Sequence, residues 1–295
     1  MTAVFDIGGT AIKYGVIQPE GDSLRFLCQE EIESNAKALR GFGIEKKVME
    51  LTETLAERFD IHGIAISTAG MVDAGTGVIL YANENIPDYT GMTLKKDFEE
   101  RFHVPCWVEN DVNAAALGEF CYGSGRGSDS MLMLTIGTGI GGSIVLQGEV
   151  YHGFSGSAGE IGYMWIDGRS FQEAASTSAL VRNVENKSKE AGLNGRIIFE
   201  RAKKGDQICI QEIRSLCEII IKGISNCVCI LNPQKVVLGG GIMAQREYLE
   251  PWMRQYMAQY MNEEMLRHTE LDFASLGNTA GMAGAYAYFR KKECR

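Results

Sequence analysis

Apolar and polar residues alternate through residues 3–17, break at Gly8-Gly9 and resume. This pattern predicts two strands joined as a hairpin. A third strand is expected around 24–32. Apolar positions at helical spacing mark 44–59, and IHGIAISTAG (61–70) reads as a short apolar strand ending in a glycine turn. A helix over 93–102 leads into a strand at 104–110. Residues 111–123 read as a helix opened by Asp111, a residue type favoured at an N-cap. The stretch at 130–153 repeats the opening plan of strand, Gly-Thr-Gly turn and strand, and two such hairpins predict two related lobes. Residues 171–192 and 196–231 read as mostly helical, with Pro233 ending the second run. KVVLGGGI (235–242) reads as a buried strand entering three glycines, and GMAGAYAYFRKK as a terminal helix. The expected class is α/β. One lobe spans 1–116 together with the terminal helix at about 281–295, and the other spans 117–280.

Composition narrows the picture. A chain of 295 residues that is 45% hydrophobic can fill two cores. Its net charge of −9, pI of about 5.1 and lack of a basic arm argue against phosphate-backbone binding to nucleic acid. The first residues have no basic segment followed by a long apolar one, so a signal peptide is not expected. No run approaches the roughly 18 apolar residues of a membrane span. None of the eight cysteines forms a C-x-x-C pair, and Cys227 and Cys229 sit in an apolar helical stretch. Buried thiols in a reducing cytoplasm are expected rather than disulfides or a metal cluster.

The glycine turns carry the candidate chemistry. Backbone N–H groups in such a turn approach an anion closely, because no Cβ intrudes. At the first turn, Gly8, Gly9 and Thr10 offer donors, and Lys13 can add positive charge. Asp6 would repel phosphate unless a Mg²⁺ ion lies between them, held directly or through water. The second turn, Gly137-Thr138-Gly139, can face the same phosphates, and Gly239-Gly240-Gly241 suits close packing against a nucleotide. No G-x-x-x-x-G-K-[ST] motif occurs. Three turns with Asp6 at the first point to a nucleoside triphosphate cleft between the lobes. Asn110 and Asp111 sit at a strand-to-helix junction, where Asp111 either caps its helix or accepts a proton from an attacking hydroxyl. Glu160 and Glu173 are either simply solvated, as isolated carboxylates usually are, or, where carboxylates and amides converge on a cleft, acceptors for the hydroxyls of a polyhydroxylated ligand.

Taken in order, DIGGT, STAG (67–70), ENDVNAAALGE (109–119), IGTGIGGS (136–143), AGEIGY (158–163) and LGGGI (238–242) resemble the ROK family of sugar kinases and repressors. The resemblance implies the two-lobed actin-like ATPase fold and Mg-ATP-dependent phosphorylation of hexoses or amino-hexoses. It implies Asp111 as the base and Asn85, Asn110, Glu160 and Glu173 as sugar ligands. Asp6, Gly8, Gly9, Thr10, Thr138 and Gly139 would contact phosphate and Mg²⁺, with Gly240 and Gly241 near the adenosine. It also implies a homodimer. Two departures matter. Many members bind structural zinc through a His and a cysteine-rich loop. Here the His is Tyr163 and residues 164–172 contain no Cys, so no zinc is expected there. Tyr163 either contacts the sugar or only packs, and the loop must be held by packing, with Trp165 and Phe171 as candidates. The zinc-less pattern favours glucose or a β-glucoside over N-acetylmannosamine or fructose. The other departure is that only four residues precede Phe5, leaving no helix-turn-helix before DIGGT. A kinase is therefore expected rather than a DNA-binding repressor. A catalytically inactive sugar-binding regulator is the alternative, and a chaperone-type ATPase of the same architecture is less favoured.

Overall fold

The computed structural model describes residues 1–21 and 23–293. Cys294 and the end of the expected terminal helix lie outside them. Packing divides the chain into two units. The first comprises Met1–Gly127, Gly148–Ala158 and Leu276–Arg295, and the second Ser128–Gln147 and Gly159–Ser275. The first unit therefore runs past residue 116, because helix α3 (Asp111–Tyr122) packs along α10 (Ala280–Glu293) and stays with it. It also takes in residues 148–158, which hold the two-residue strand β10 (Glu149–Val150).

In the first unit, β1 (Thr2–Ile7), β2 (Ala11–Glu20), β3 (Ser23–Glu33), β4 (Gly63–Thr68) and β7 (Cys106–Asn110) form one sheet in the order β3-β2-β1-β4-β7. The first three strands are antiparallel, and β4 and β7 run parallel to β1. Alternation along β1 sorts its side chains between two cores. Ala3, Phe5 and Ile7 face one that includes Ile44 and Val48 of α1 (Ala36–Arg58). Val4 faces Met282, Ala285 and Tyr286 of α10. Asp6 shares the face of Val4 by the two-residue period of a strand. Helix α1 starts eight residues earlier than its periodicity shows, and its two pieces meet at Arg40, whose φ is 57°. A small hairpin, β5 (Met71–Asp73) with β6 (Val78–Tyr81), and helix α2 (Leu94–Phe102) complete this unit.

The second unit repeats the plan. Strands β8 (Ser130–Ile136), β9 (Ile140–Leu146), β13 (Lys235–Gly239) and β14 (Glu270–Phe273) lie in the order β9-β8-β13-β14. The β8–β9 pair is antiparallel, and β13 and β14 follow parallel to β8. This strand order matches β2-β1-β4-β7, so the two glycine-turned hairpins occupy equivalent places. A short hairpin, β11 (Trp165–Ile166) with β12 (Arg169–Ser170), precedes α4 (Phe171–Ala175). The two long helical runs resolve into α4, α5 (Thr177–Ser188), α6 (Gly195–Lys203) and α7 (Gln207–Leu231). Sequence periodicity assigns nothing after residue 242 and before the terminal helix. The structure places α8 (Arg246–Tyr260), α9 (Glu263–His268) and β14 there. The cysteines among the described residues are free, and Cys106, Cys209, Cys217 and Cys227 are buried. Cys229 is exposed, against the expectation of a buried thiol. Two positions along a helix turn a side chain by about 200°, so Cys227 and Cys229 cannot both face the core.

Between α1 and α2, Glu45 has an Oε1 buried without a hydrogen-bond partner. Burial and the neighbouring Asp97 carboxyl push its pKa up to about 7. A carboxyl whose pKa rises on folding supports stability below its unfolded pKa and loses that support as pH rises through the folded value. Glu45→Gln should therefore raise Tm at pH 8 and lose the advantage below about pH 4.5. Solvent screening at this half-buried site keeps the gain to about 1 kcal/mol, or roughly 2–4 °C. Thermal melts at the two pH values check this.

Candidate active site

Strand register builds the surroundings of Asp6. Its cross-strand neighbours are Lys13 on β2 and Ser67 on β4. The Ser67 hydroxyl donates to Asp6 Oδ1 at 2.8 Å, and Lys13 Nζ lies 3.6 Å from Oδ2. Lys13 is therefore Asp6's ion partner in this arrangement. Helix α10 covers this face with Gly281, where a Cβ would fall 2.6 Å from Asp6 Cγ. A carboxylate has about four lone-pair positions, so these contacts leave capacity on Asp6. Among the described residues, no three His, Cys, Asp or Glu side chains converge to hold a metal ion. A single carboxylate fits a hydrated Mg²⁺ that keeps most of its waters and takes its other ligands from phosphate. In the adjoining turn, Gly8 N–H donates to the Ala11 carbonyl at 2.9 Å, and Thr10 is exposed. Asn85 is exposed and lies against the turn, since a Cβ on Gly9 would come within 3.0 Å of Asn85 Cβ.

The β7–α3 junction departs from the expected cap. Asn110, not Asp111, is the N-cap. Its Oδ1 accepts from Val112 N–H at 2.9 Å and Asn113 N–H at 3.1 Å. Its Nδ2 donates to the Gly70 carbonyl at 2.8 Å and to Asp111 Oδ1 at 2.9 Å. Asp111 is the first helical residue, and Val112 N–H also donates to its Oδ1, at 2.9 Å. The carboxyl of Asp111 is thus released from capping and held by one oxygen. Burial and the negative charge of Asp6 push its pKa up to about 7. Beneath it lies Glu109, fully buried. Its Oε1 accepts from the Asn110 N–H at 2.8 Å and Asn113 Nδ2 at 3.2 Å, and its Oε2 meets His152 Nε2 at 2.8 Å. The bond to Glu109 holds the His152 imidazole above its usual range.

In the second unit the Gly137–Gly139 turn closes with Gly137 N–H donating to the Gly139 carbonyl at 2.9 Å. The N-terminus of α5 docks on it, with Thr177 N–H donating to the Gly137 carbonyl at 2.8 Å. Gly139 also lies against Gln172, the residue before Glu173. Glu173 closes a capping box on α4. Its Oε2 accepts from Ser170 Oγ at 2.6 Å and Ser170 N–H at 3.2 Å. These bonds hold the Glu173 carboxyl below the usual carboxylate range. Glu160 precedes a single 3-10 turn (Ile161–Tyr163) that Tyr163 ends, and both are exposed. Between Tyr163 and Glu173, where no zinc was expected, stands the β11–β12 hairpin. Phe171 holds it, buried against Gly223, where a Cβ would fall 2.5 Å from the ring. Trp165, expected to share that task, is 75% exposed and does not. Ile166 is buried in its place, because adjacent strand residues face opposite ways.

A cavity of about 730 Å³ opens beside this turn within the second unit. Gly137 and Thr138, Thr177 and Arg182 of α5, Phe199 of α6, and Gly241 line it. Gly240 has φ 102°, and a Cβ on it would fall 2.2 Å from the Ile136 carbonyl oxygen. Packing on β8 thus accounts for this glycine. The sequence reading missed Ser67, Glu109, His152, Gly281, Thr177, Arg182 and Phe199. Only Ser67 and Glu109 lie in stretches the motifs mark.

Two units built on one repeated strand order, each with a glycine turn after its first strand, define the actin-like ATPase architecture. The ROK family model matches residues 2–292, and the chain belongs to the ROK family. An uncharacterised protein of Clostridium perfringens is 48% identical, covering 98% of this chain and 97% of its own. A beta-glucoside kinase of Listeria monocytogenes is 31% identical, covering 99% and 98%. Among solved structures, a ROK family glucokinase from Streptomyces griseus in complex with glucose and AMPPNP aligns with a TM-score of 0.81. It is 29% identical and covers 96% of this chain and 97% of its own.

Proposed function

We propose that this chain phosphorylates a hexose or β-glucoside at its 6-hydroxyl with Mg-ATP as donor. The observation that carries this reading is Asp111, freed from capping by Asn110 and tuned to a pKa of about 7. A general base works best when its pKa lies near the operating pH. The names of the Listeria and Streptomyces relatives support the sugar and the nucleotide.

In this reading Asn85, Glu160, Glu173 and Tyr163 hold the sugar hydroxyls, with the last the least constrained, while Asn110, whose amide is fully engaged at the junction, orients Asp111 instead of binding sugar. The second-unit cavity takes the adenosine. The turns at Gly8–Thr10 and Gly137–Gly139 take the phosphates. Asp6 would hold Mg²⁺, which neutralises phosphate charge when bound. Both observed bonds to Asp111 fall on Oδ1, so Oδ2 receives the proton as the sugar oxygen bonds to the γ-phosphorus. The bond from that phosphorus to the β–γ bridging oxygen breaks, ADP leaves, and Asp111 returns its proton to solvent. Glucose and β-glucosides are the favoured acceptors, and a homodimer in the cytoplasm belongs to the same reading.

A coupled ADP-release assay on glucose, cellobiose, gentiobiose, N-acetylmannosamine, N-acetylglucosamine and fructose tests it. Turnover on cellobiose or gentiobiose would define a β-glucoside kinase, and turnover on glucose alone a glucokinase. Sugar binding without ADP release on any of them would replace the kinase by a sugar-binding regulator.

A further inference from the structure

We propose that Glu109 and His152 form a positioning pair that sets the orientation of Asp111. The inference rests on the kinase reading of Asp111. Its basis is the bond pattern at the β7–α3 junction. Glu109 sits at the penultimate position of β7, with Cys106 and Val108 buried on the same strand. An apolar side chain there would satisfy the core, whereas a buried carboxylate is costly unless every lone pair finds a partner. Glu109 finds three partners, and two of them belong to the first turn of the base's helix and its entry peptide. Oε1 takes the backbone N–H of Asn110, the residue immediately before Asp111, and the side chain of Asn113, two residues after it. Asn110 in turn gives Nδ2 to Asp111 Oδ1.

The carboxylate of Glu109 would be free to rotate if only one oxygen were engaged. His152 engages the other, at 2.8 Å. His152 comes from the segment Gly148–Ala158, far in sequence from β7, and it is about one quarter exposed. Its far side lines a cavity of about 470 Å³ together with Asp73, Tyr288 and Lys292. The order of constraint therefore runs from His152 to Glu109, from Glu109 to the Asn110 peptide and Asn113, and from these to Asp111. Neither member touches the reacting atoms in this scheme. Misplacing a reactive group by about 1 Å can cost on the order of 100-fold in rate, and holding it closer than that is the task of the shell behind it.

Steady-state kinetics on the full chain test this, with Mg-ATP and whichever sugar the wild type turns over. Glu109→Gln keeps the shape of the side chain and removes its charge. It is expected to lower kcat by roughly 10- to 100-fold, with KM for sugar and for ATP within about threefold of wild type. His152→Gln keeps a hydrogen-bond donor at a partly exposed position. It is expected to lower kcat by a smaller factor with the same unchanged KM values, and it serves if the first variant does not fold. A thermal melt accompanies each variant. A kcat within twofold of wild type in a folded Glu109→Gln or His152→Gln protein overturns the pair while leaving the kinase reading intact. So does a loss that falls equally on sugar affinity. Absence of turnover by the wild type on every sugar removes the kinase reading, and the pair with it.

Discussion

Asp111→Asn is expected to phosphorylate sugar at roughly 1/100 to 1/10,000 of the wild-type rate while keeping its fold. This corresponds to about 3–5 kcal/mol of barrier. The amide keeps the hydrogen bonds that fall on Oδ1 but has no basic oxygen for the proton. The wild-type pH profile should carry the same signature. Burial and Asp6 raise the Asp111 pKa, so the carboxyl holds its proton below about pH 7 and becomes a base above it. Sugar kcat/KM, measured below saturation in both substrates, should rise through about pH 7 and then level. The residual activity of Asp111→Asn should lack that limb. The sign for stability is opposite. A carboxyl with a raised folded pKa supports the fold at low pH and ceases to do so as pH climbs through about 7. Asp111→Asn should thus melt at a higher temperature than wild type at pH 8, a gain in stability alongside a loss of turnover. A near-wild-type rate would remove Asp111 from the role of base.

Gly284→Ala is expected to be the most damaging small change outside the chemistry. A Cβ at Gly284 would fall 1.5 Å from the Ala114 carbonyl oxygen, and one at Gly118 would fall 2.5 Å from the Ala280 carbonyl oxygen. Helices α3 and α10 therefore touch through their backbones, and neither can yield without leaving its sheet contacts. Overpacking of this kind costs about 3 kcal/mol or more, or roughly 6–12 °C in Tm. Activity should fall as well, since α3 begins with Asp111 and the first turn of α10 lies over Asp6. Circular dichroism melts of purified Gly284→Ala check the first effect. An unchanged Tm would mean that the two helices have room to separate.

Much of this was legible in the residues because it is local. The two hairpins follow from alternation broken by Gly8-Gly9 and by Gly137-Thr138-Gly139, and the β7–α3 junction follows from an apolar strand running into Asn110-Asp111. The identity of the cap was not legible. Both Asn and Asp cap well, and only the contact of Asn110 with Gly70 decides between them. Ser67 stands opposite Asp6 because β4 pairs with β1 across some 60 residues of chain, a register that the pattern of either strand leaves open. Arg182 and Phe199 read only as helical positions, since a helix face that lines a cavity carries the same spacing as one that meets a core. Trp165 looked like a packing residue by its size, and the two-residue period of β11 turned it outward. His152 had no motif around it, and its partner Glu109 lies 43 positions away.

The first unit is assembled from three separate stretches of chain, and the last of them is the C-terminal helix. During synthesis Gly281, which closes over Asp6, is made about 275 residues after it. The interval lasts many seconds at ordinary elongation rates. The face of β1 that carries Val4 and Asp6 stays open throughout. The second unit has all its residues by Ser275 and can reach its native packing before the first. A nascent chain stalled before residue 280 would therefore present a finished second unit and an incomplete first one. The face of β1 thus waits for its cover until all of the second unit has been made.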